Sequence, residues 1–156
     1  MGLEIERKFL VKNDSWKKEV SNSFSLKQGY LSSNPDRTVR IRITEQSAFL
    51  TIKSKSQGIS RQEFEYTIPL NEAKELLLLC EKPIIEKIRY LVKIESHTWE
   101  IDVFEGENKG LTIAEIELSD ENEEFEIHAW IGKEVSDDSR YFNSNLIACP
   151  FNSWEK

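Results

Sequence analysis

Apolar and charged residues alternate with a period of two along most of this chain, and no other feature constrains its fold as strongly. In an extended strand, Glu4-Ile5-Glu6-Arg7-Lys8-Phe9 puts Glu4, Glu6 and Lys8 on one face and Ile5 and Phe9 on the other. The pattern returns in Val39-Arg40-Ile41-Arg42-Ile43, Leu50-Thr51-Ile52-Lys53-Ser54-Lys55 and Arg61-Gln62-Glu63-Phe64-Glu65-Tyr66. It returns again in Ile85-Glu86-Lys87-Ile88-Arg89-Tyr90, Trp99-Glu100-Ile101-Asp102-Val103 and Ala114-Glu115-Ile116-Glu117-Leu118. One such segment is what any antiparallel sheet with a wet face and a packed face displays. Here, however, the signs come in like pairs on single segments: acidic at 4/6, 63/65 and 115/117, basic at 40/42, 53/55 and 87/89. A merely solvated face mixes signs with Ser, Thr, Asn and Gln, because like charges two residues apart repel. A face that holds a metal ion beside a phosphate uses both kinds, since hard cations take carboxylate oxygens and phosphoryl oxygens take Lys or Arg.

The bulk numbers narrow the class. At 156 residues the chain suits one domain, spanning 1–156, with a core of ordinary size. Its net charge of -7 argues against gripping nucleic acid through phosphate contacts, which needs a basic patch or stripe. No stretch approaches the roughly 20 apolar residues of a membrane span, and the N-terminus lacks a signal-peptide core. The expectation is a cytoplasmic protein with no membrane and no nucleic-acid partner. Cys80 and Cys149 have no metal-ligand spacing and are expected to be free thiols; His97 and His128 are isolated. With no glycine-rich phosphate loop, any phosphate binding falls to side chains.

Turn and cap signals divide the chain into about eight strands with a few helices. Strand 1 covers about 3–11; a short helix from Asn13 or Asp14 runs to Val20; a strand follows over Ser25–Leu31. The Arg40/Arg42, Lys53/Lys55 and Glu63/Glu65 strands then succeed one another to Pro69. Asn71 is expected to cap a helix over Glu72–Cys80, strands follow at about 84–95, 98–105 and around 115–117, and a last helix runs from Ser139 to Ile147. The acidic stretch 119–124 reads as a solvated loop. Short connections imply an antiparallel sheet, and eight strands can close into a barrel. Closure turns the charged faces toward one another, giving an α+β fold: an eight-stranded, mainly antiparallel closed β-barrel, a tunnel with a charged interior and helices packed outside.

The ordered series Glu4-x-Glu6-x-Lys8, Arg40-x-Arg42, Lys53, Glu63-x-Glu65, Lys87-x-Arg89, Asp102, Glu115-x-Glu117 and Lys133 resembles the CYTH superfamily, the triphosphate tunnel metalloenzymes. The resemblance spans nearly the whole chain, and the tail from Glu134 to Asn145 is similar to the ending of small bacterial members. It implies a divalent metal, Mg2+ or Mn2+, and a triphosphate substrate inside an eight-stranded tunnel. It implies metal-dependent hydrolysis of inorganic tripolyphosphate to pyrophosphate and phosphate, with class IV-type adenylyl cyclase, nucleoside or thiamine triphosphatase, and a non-catalytic polyphosphate-binding module as alternatives.

The residue chemistry agrees with that role. Six candidate inward cations (Lys8, Arg40, Arg42, Lys53, Lys87 and Arg89) face seven carboxylates (Glu4, Glu6, Glu63, Glu65, Asp102, Glu115 and Glu117). Burying so many ions costs on the order of several kcal/mol each. The tunnel must therefore stay wet, segregate its signs or be neutralised by ligand. The resemblance makes Glu4, Glu6, Asp102, Glu115 and Glu117 the metal ligands, and Lys8, Arg40, Arg42, Lys53, Lys87, Arg89 and Lys133 the phosphate clamp. Glu4, Glu117 and Lys87 form the candidate catalytic set, and Glu63 and Glu65 are supporting residues that either pair with and position neighbouring arginines and lysines or join the metal ligands. Lys55, Arg61 and Glu100 are expected beyond the tunnel at strand ends, Arg140 and Tyr141 as anchors of the last helix, and the protein as a monomer or homodimer.

Overall fold

The computed structural model describes residues 2–154. The expected strands, the seven alternating segments and the Ser25–Leu31 segment, form β1 (Gly2–Val11), β2 (Val20–Ser32), β3 (Arg37–Ile43), β4 (Ala48–Ser54), β5 (Ser60–Ile68), β6 (Ile85–Ile94), β7 (His97–Phe104) and β8 (Thr112–Glu117). They pair in the order β5-β4-β3-β2-β6-β7-β8-β1, and β1 pairs again with β5, so eight antiparallel strands close into the expected ring. β1 makes the closure. One of its edges carries β8, with Glu6 opposite Glu117 and Lys8 opposite Glu115. The other edge carries β5 over Gly2–Ile5 and, beyond it, a ninth strand β9 (Ile131–Glu134) over Phe9–Val11. Register shifts in β2 at Val20/Asn22 and Tyr30/Ser32 supply the local twist and bend that closure demands.

The strand period then sets an inside-out arrangement. Apolar side chains point outward, and cover is laid over them. Ile5, Phe9, Trp99, Ile101 and Ile116 pack under Trp16 and Trp130, the Trp99 ring standing 5.3 Å from Trp130 and 5.7 Å from Phe9 in edge contacts. Ile41 and Ala48 pack under Ala73 and Cys80, the latter at the end of α1 (Leu70–Leu79). Each large apolar side chain buried this way is worth about 1.5–3 kcal/mol, so the outer shell carries the stability and leaves the interior free to be polar. Gly29 is part of that shell: a Cβ there would stand 2.7 Å from the Cys80 Cβ.

The inner face is not charged along its whole length. On β1, β6, β7 and β8, Leu10, Ile85, Phe104 and Ile113 continue the inward rows of Lys8, Lys87, Asp102 and Glu115. There they pack with Tyr141, Leu146 and Ile147 of the C-terminal segment, so apolar side chains fill one end of the tunnel.

Several predicted boundaries move. α1 begins at Leu70 with Pro69 at its N-cap, so Asn71 lies inside the first turn and does not cap it. The single helix expected from Ser139 to Ile147 is a 3-10 turn, Ser139–Tyr141, and a short α2, Asn145–Ala148. Cys80 and Cys149 are free thiols. No helix is long and apolar enough to cross a membrane.

Candidate active site

Closing the ring sorts the charges. A contiguous arc of four strands, β7, β8, β1 and β5, carries Glu100, Asp102, Glu115, Glu117, Glu4, Glu6, Glu63 and Glu65; the facing arc, β6, β2, β3 and β4, carries Lys87, Arg89, Arg40, Arg42 and Lys53. Only Lys8 and Arg61 cross the divide. Between the arcs lies a cavity of about 290 Å³, lined by all of these groups except the buried Asp102, together with Tyr30, Phe142 and Asn143. Asp102 sits behind that lining, fully buried against Lys87 and Arg89.

Toward the apolar end every charge has a protein partner. Arg89 grips Asp102 with a two-pronged contact, Nε to Oδ1 at 2.8 Å and Nη2 to Oδ2 at 2.9 Å, and Lys87 Nζ stands 2.7 Å from Asp102 Oδ2. Burial disfavours the Asp102 carboxylate, but Arg89 and Lys87 outweigh it and hold its pKa far below the usual range. Burial likewise drives the Lys87 ammonium down to about 7, with Asp102 opposing the fall. At the other end Lys53 Nζ donates to both oxygens of Glu4, at 3.0 and 2.9 Å, and Arg61 Nε donates to Glu4 Oε1 at 3.2 Å.

Between these clusters lie carboxylates on which no ion pair or side-chain hydrogen bond closes among the described residues: Glu6, Glu115 and Glu117. The register makes this worse: Glu6 faces Glu117 across β1/β8, and Glu115 faces Glu100 across β7/β8. Like charges directly opposite destabilise a sheet. Burial, then Glu115 and Glu4, push the Glu6 pKa well above the ordinary carboxylate value, and burial with Glu4 and Glu100 raises that of Glu117. Glu115 differs: Lys8 overcomes its burial and holds it at about 2. Across the cavity Arg40 Nε is buried with no partner among the described residues, while its Nη2 donates to Thr51 Oγ1 at 3.2 Å and lies 3.8 Å from Glu65. Arg42 has only an amide partner, Gln28 Oε1 at 3.0 Å, and burial with Arg40 and Arg89 lowers it to about 9.

This donor set fits a divalent cation. Hard oxygen ligands with no counter-charge are what such an ion takes, although no three acidic, His or Cys side chains among the described residues close into a ready-made cage.

The match to known proteins agrees with this architecture. The CYTH domain family model matches residues 2–146. This chain belongs to the CYTH family. Among relatives of the CYTH chain, an inorganic triphosphatase of Acetivibrio thermocellus is 50% identical over 157 residues, covering 100% of both chains. An inorganic triphosphatase of Nitrosomonas europaea is 36% identical over 148 residues, covering 92% of this chain and 95% of that one. The crystal structure of the inorganic triphosphatase NE1496 superposes with a TM-score of 0.66 at 34% identity, covering 92% of this chain and 97% of that chain. The PH1012 protein from Pyrococcus horikoshii, at 20% identity and a TM-score of 0.60 over 76% of this chain and 80% of that one, shares the fold.

Within this CYTH tunnel most expected residues meet. Glu4, Glu6, Lys8, Arg40, Arg42, Lys53, Lys87, Arg89, Glu115, Glu117, Glu63 and Glu65 line one cavity. Lys133 does not: it is exposed on β9 and no part of the lining, because β9 attaches to the edge of β1 and is not a stave of the ring. Asp102 has both oxygens occupied by Arg89 and Lys87, which suits a holder of cations better than a metal ligand. Arg61 and Glu100, expected beyond the tunnel, line it, whereas Lys55 is exposed. Arg140 is exposed and bound to Asp138. Charge patterning also passes over Gln28 and Asn143, neutral amides that no alternation marks; Gln28 shares its parity with Tyr30 on β2, and Asn143 lies in the tail that carries the family resemblance, where the resemblance gives it no role.

Proposed function

We propose that this protein hydrolyses inorganic tripolyphosphate to pyrophosphate and orthophosphate with the help of Mg2+ or Mn2+. One observation carries the reading: carboxylates with no ion-pair partner among the described residues, Glu6, Glu115 and Glu117, face under-partnered guanidinium groups, Arg40 and Arg42, across a single cavity. A cation alone would need no basic arc, and a phosphate alone would need no acidic one.

Glu6, Glu115 and Glu117 would hold the divalent ion, with Glu4 joining through whatever share Lys53 and Arg61 release. Bound there, the ion supplies Lewis acidity, neutralising phosphoryl charge and acidifying water. Lys8, Arg40, Arg42, Lys53, Lys87 and Arg89 bind the phosphoryl oxygens and stabilise the charge that gathers on them as the bond to the leaving phosphate lengthens. Besides helping to hold the ion, the Glu117 carboxylate, which no Lys or Arg pairs with among the described residues, orients the attacking water and takes its proton. Glu4 serves this purpose less well, because two cations already occupy it. Asp102 keeps Lys87 and Arg89 in place.

The substrate preference rests on what the cavity lacks. Tyr30 and Phe142 are the only aromatic residues among those that line it, and its far end is bordered by Ser56, Gly58, Ile59 and Arg61, which offer no platform for a base. The relatives named inorganic triphosphatase support the same choice. On this reading residues 1–156 act as one tunnel domain, in the cytoplasm, on a small polyanion.

Incubating the protein with Mg2+ or Mn2+ and either tripolyphosphate or ATP tests the proposal. Equimolar pyrophosphate and orthophosphate from tripolyphosphate, at a kcat/KM well above that for ATP, is expected. Cyclic AMP from ATP, or metal-independent binding without turnover, would overturn it.

A further inference from the structure

The apolar end of the cavity is finished by a short segment that carries one polar side chain into the charged interior. Asn143 lies between the 3-10 turn Ser139–Tyr141 and α2. Its Oδ1 accepts from Lys87 Nζ at 2.9 Å and from Gln28 Nε2 at 3.1 Å, and Gln28 Oε1 accepts from Arg42 Nε at 3.0 Å. Chemistry fixes the direction of every bond in this chain. Ammonium and guanidinium groups only donate, so each amide must present its oxygen to its cation, and Gln28 is left with its NH2 toward Asn143. Neither amide can flip without setting donor against donor. Gln28 is fully buried and Lys87 nearly so, and water cannot substitute for a lost partner there at little cost. The same segment reaches the opposite arc, where Lys8 Nζ donates to the Tyr141 carbonyl at 3.3 Å and lies 5.5 Å from the Phe142 ring.

We propose that Asn143 is a positioning residue for the phosphoryl transfer: its one carbonyl oxygen fixes Lys87 and, through Gln28, Arg42, so that cations from two different strands meet the same phosphoryl group. The C-terminal segment is on this view part of the active site and more than a plug. The inference rests on the functional reading above. A purely structural segment would be held by Tyr141, Leu146 and Ile147, which pack into the apolar end, and turnover would not depend on the amide.

The test is a double-mutant cycle with Asn143→Ala, Lys87→Ala and the pair, assayed on tripolyphosphate with Mg2+, with melting curves recorded in parallel. Asn143→Ala should lower kcat by about 10- to 100-fold, the loss typical of a misplaced catalytic group, and should cost distinctly less once Lys87 is gone, when only the Gln28–Arg42 arm remains to be lost. Equal losses in the two backgrounds, or wild-type kcat for Asn143→Ala, overturn the proposal. If Asn143→Ala fails to fold, Gln28→Met serves: it keeps the side chain's length, breaks the link, and should be non-additive with Arg42→Ala; additivity there is equally fatal. If the wild-type protein turns over no tripolyphosphate, the functional reading falls by itself. The same cycle run calorimetrically on tripolyphosphate binding then decides the role of Asn143, additive losses overturning it.

Discussion

Two regions of the tunnel's charged stretch, one around Asp102 and one around Glu6, obey opposite rules. Around Asp102 each charge is matched within the protein: Arg89 and Lys87 close on one carboxylate, Glu100 adds to Arg89 at 3.2 Å, and Asn143 completes Lys87. Around Glu6 nothing is matched, and the register sets carboxylate against carboxylate. Both regions are built from the same residue types on the same kind of strand, so the contrast lies in partners and not in composition. A matched cluster stabilises and orients; an unmatched one binds.

That contrast can be broken most forcefully at Asp102. Asp102→Ala leaves Lys87 and Arg89 buried without their counter-charge and should cost about 3–5 kcal/mol of unfolding free energy, read from urea denaturation. A cost no greater than that of a change at Glu6 would erase the distinction. Glu6→Gln should do the reverse, lowering metal-dependent turnover by about 10²–10³-fold, as losing an electrostatic group from a reaction centre does, while leaving the metal-free protein at least as stable as before. Loss of both activity and stability would mean that Glu6 is paired after all.

A smaller effect appears in the pH dependence of stability. The folded-state pKa of Glu6 is raised, so its ionisation penalises the metal-free fold at neutral pH, and the penalty is relieved as pH falls through that raised value. Asp102 and Glu115 have lowered values, so their stabilisation is full above about pH 4 and is lost only as pH falls below it. The difference in unfolding free energy between wild type and Glu6→Gln should therefore shrink on acidification from neutrality, before either protein acid-denatures, and added Mg2+ should remove it. A difference independent of pH would contradict the assigned state of Glu6. The smallest expected effect is at Lys133: Lys133→Ala should leave kcat/KM on tripolyphosphate within about twofold, because an exposed side chain on β9 is outside the lining. A loss of tenfold would restore it to the phosphate clamp.

Much of this was legible in the residues. Alternation announced seven strands and turn signals set off the eighth, and the like-signed pairs said which face turns inward, since Glu4/Glu6 and Arg40/Arg42 make poor sense facing bulk water. β9 left no such trace: four residues containing Gly132 are too short to display a period. The first turns of β2, Val20-Ser21-Asn22-Ser23, read as a polar connection, and only pairing with β6 makes them a strand. Lys133 was misplaced because a charge in sequence carries no direction without a strand phase. Asp102 was assigned from its neighbours in the series, whereas its partners come from β6, opposite in register at Arg89. Gln28 and Asn143 escaped notice because an amide contributes to neither the apolar nor the charged pattern; it gains meaning only once a cation is placed beside it.

The sealed end of the barrel imposes a queue. With Leu10, Ile85, Phe104 and Ile113 packed at the bottom against Leu146 and Ile147, whatever is cut free deepest in the cavity meets an apolar wall on that side. If the terminal phosphoryl group enters first, orthophosphate is trapped behind pyrophosphate and must wait for it to go, so traffic through a single doorway, and not the breaking of the bond, can set the pace of the cycle.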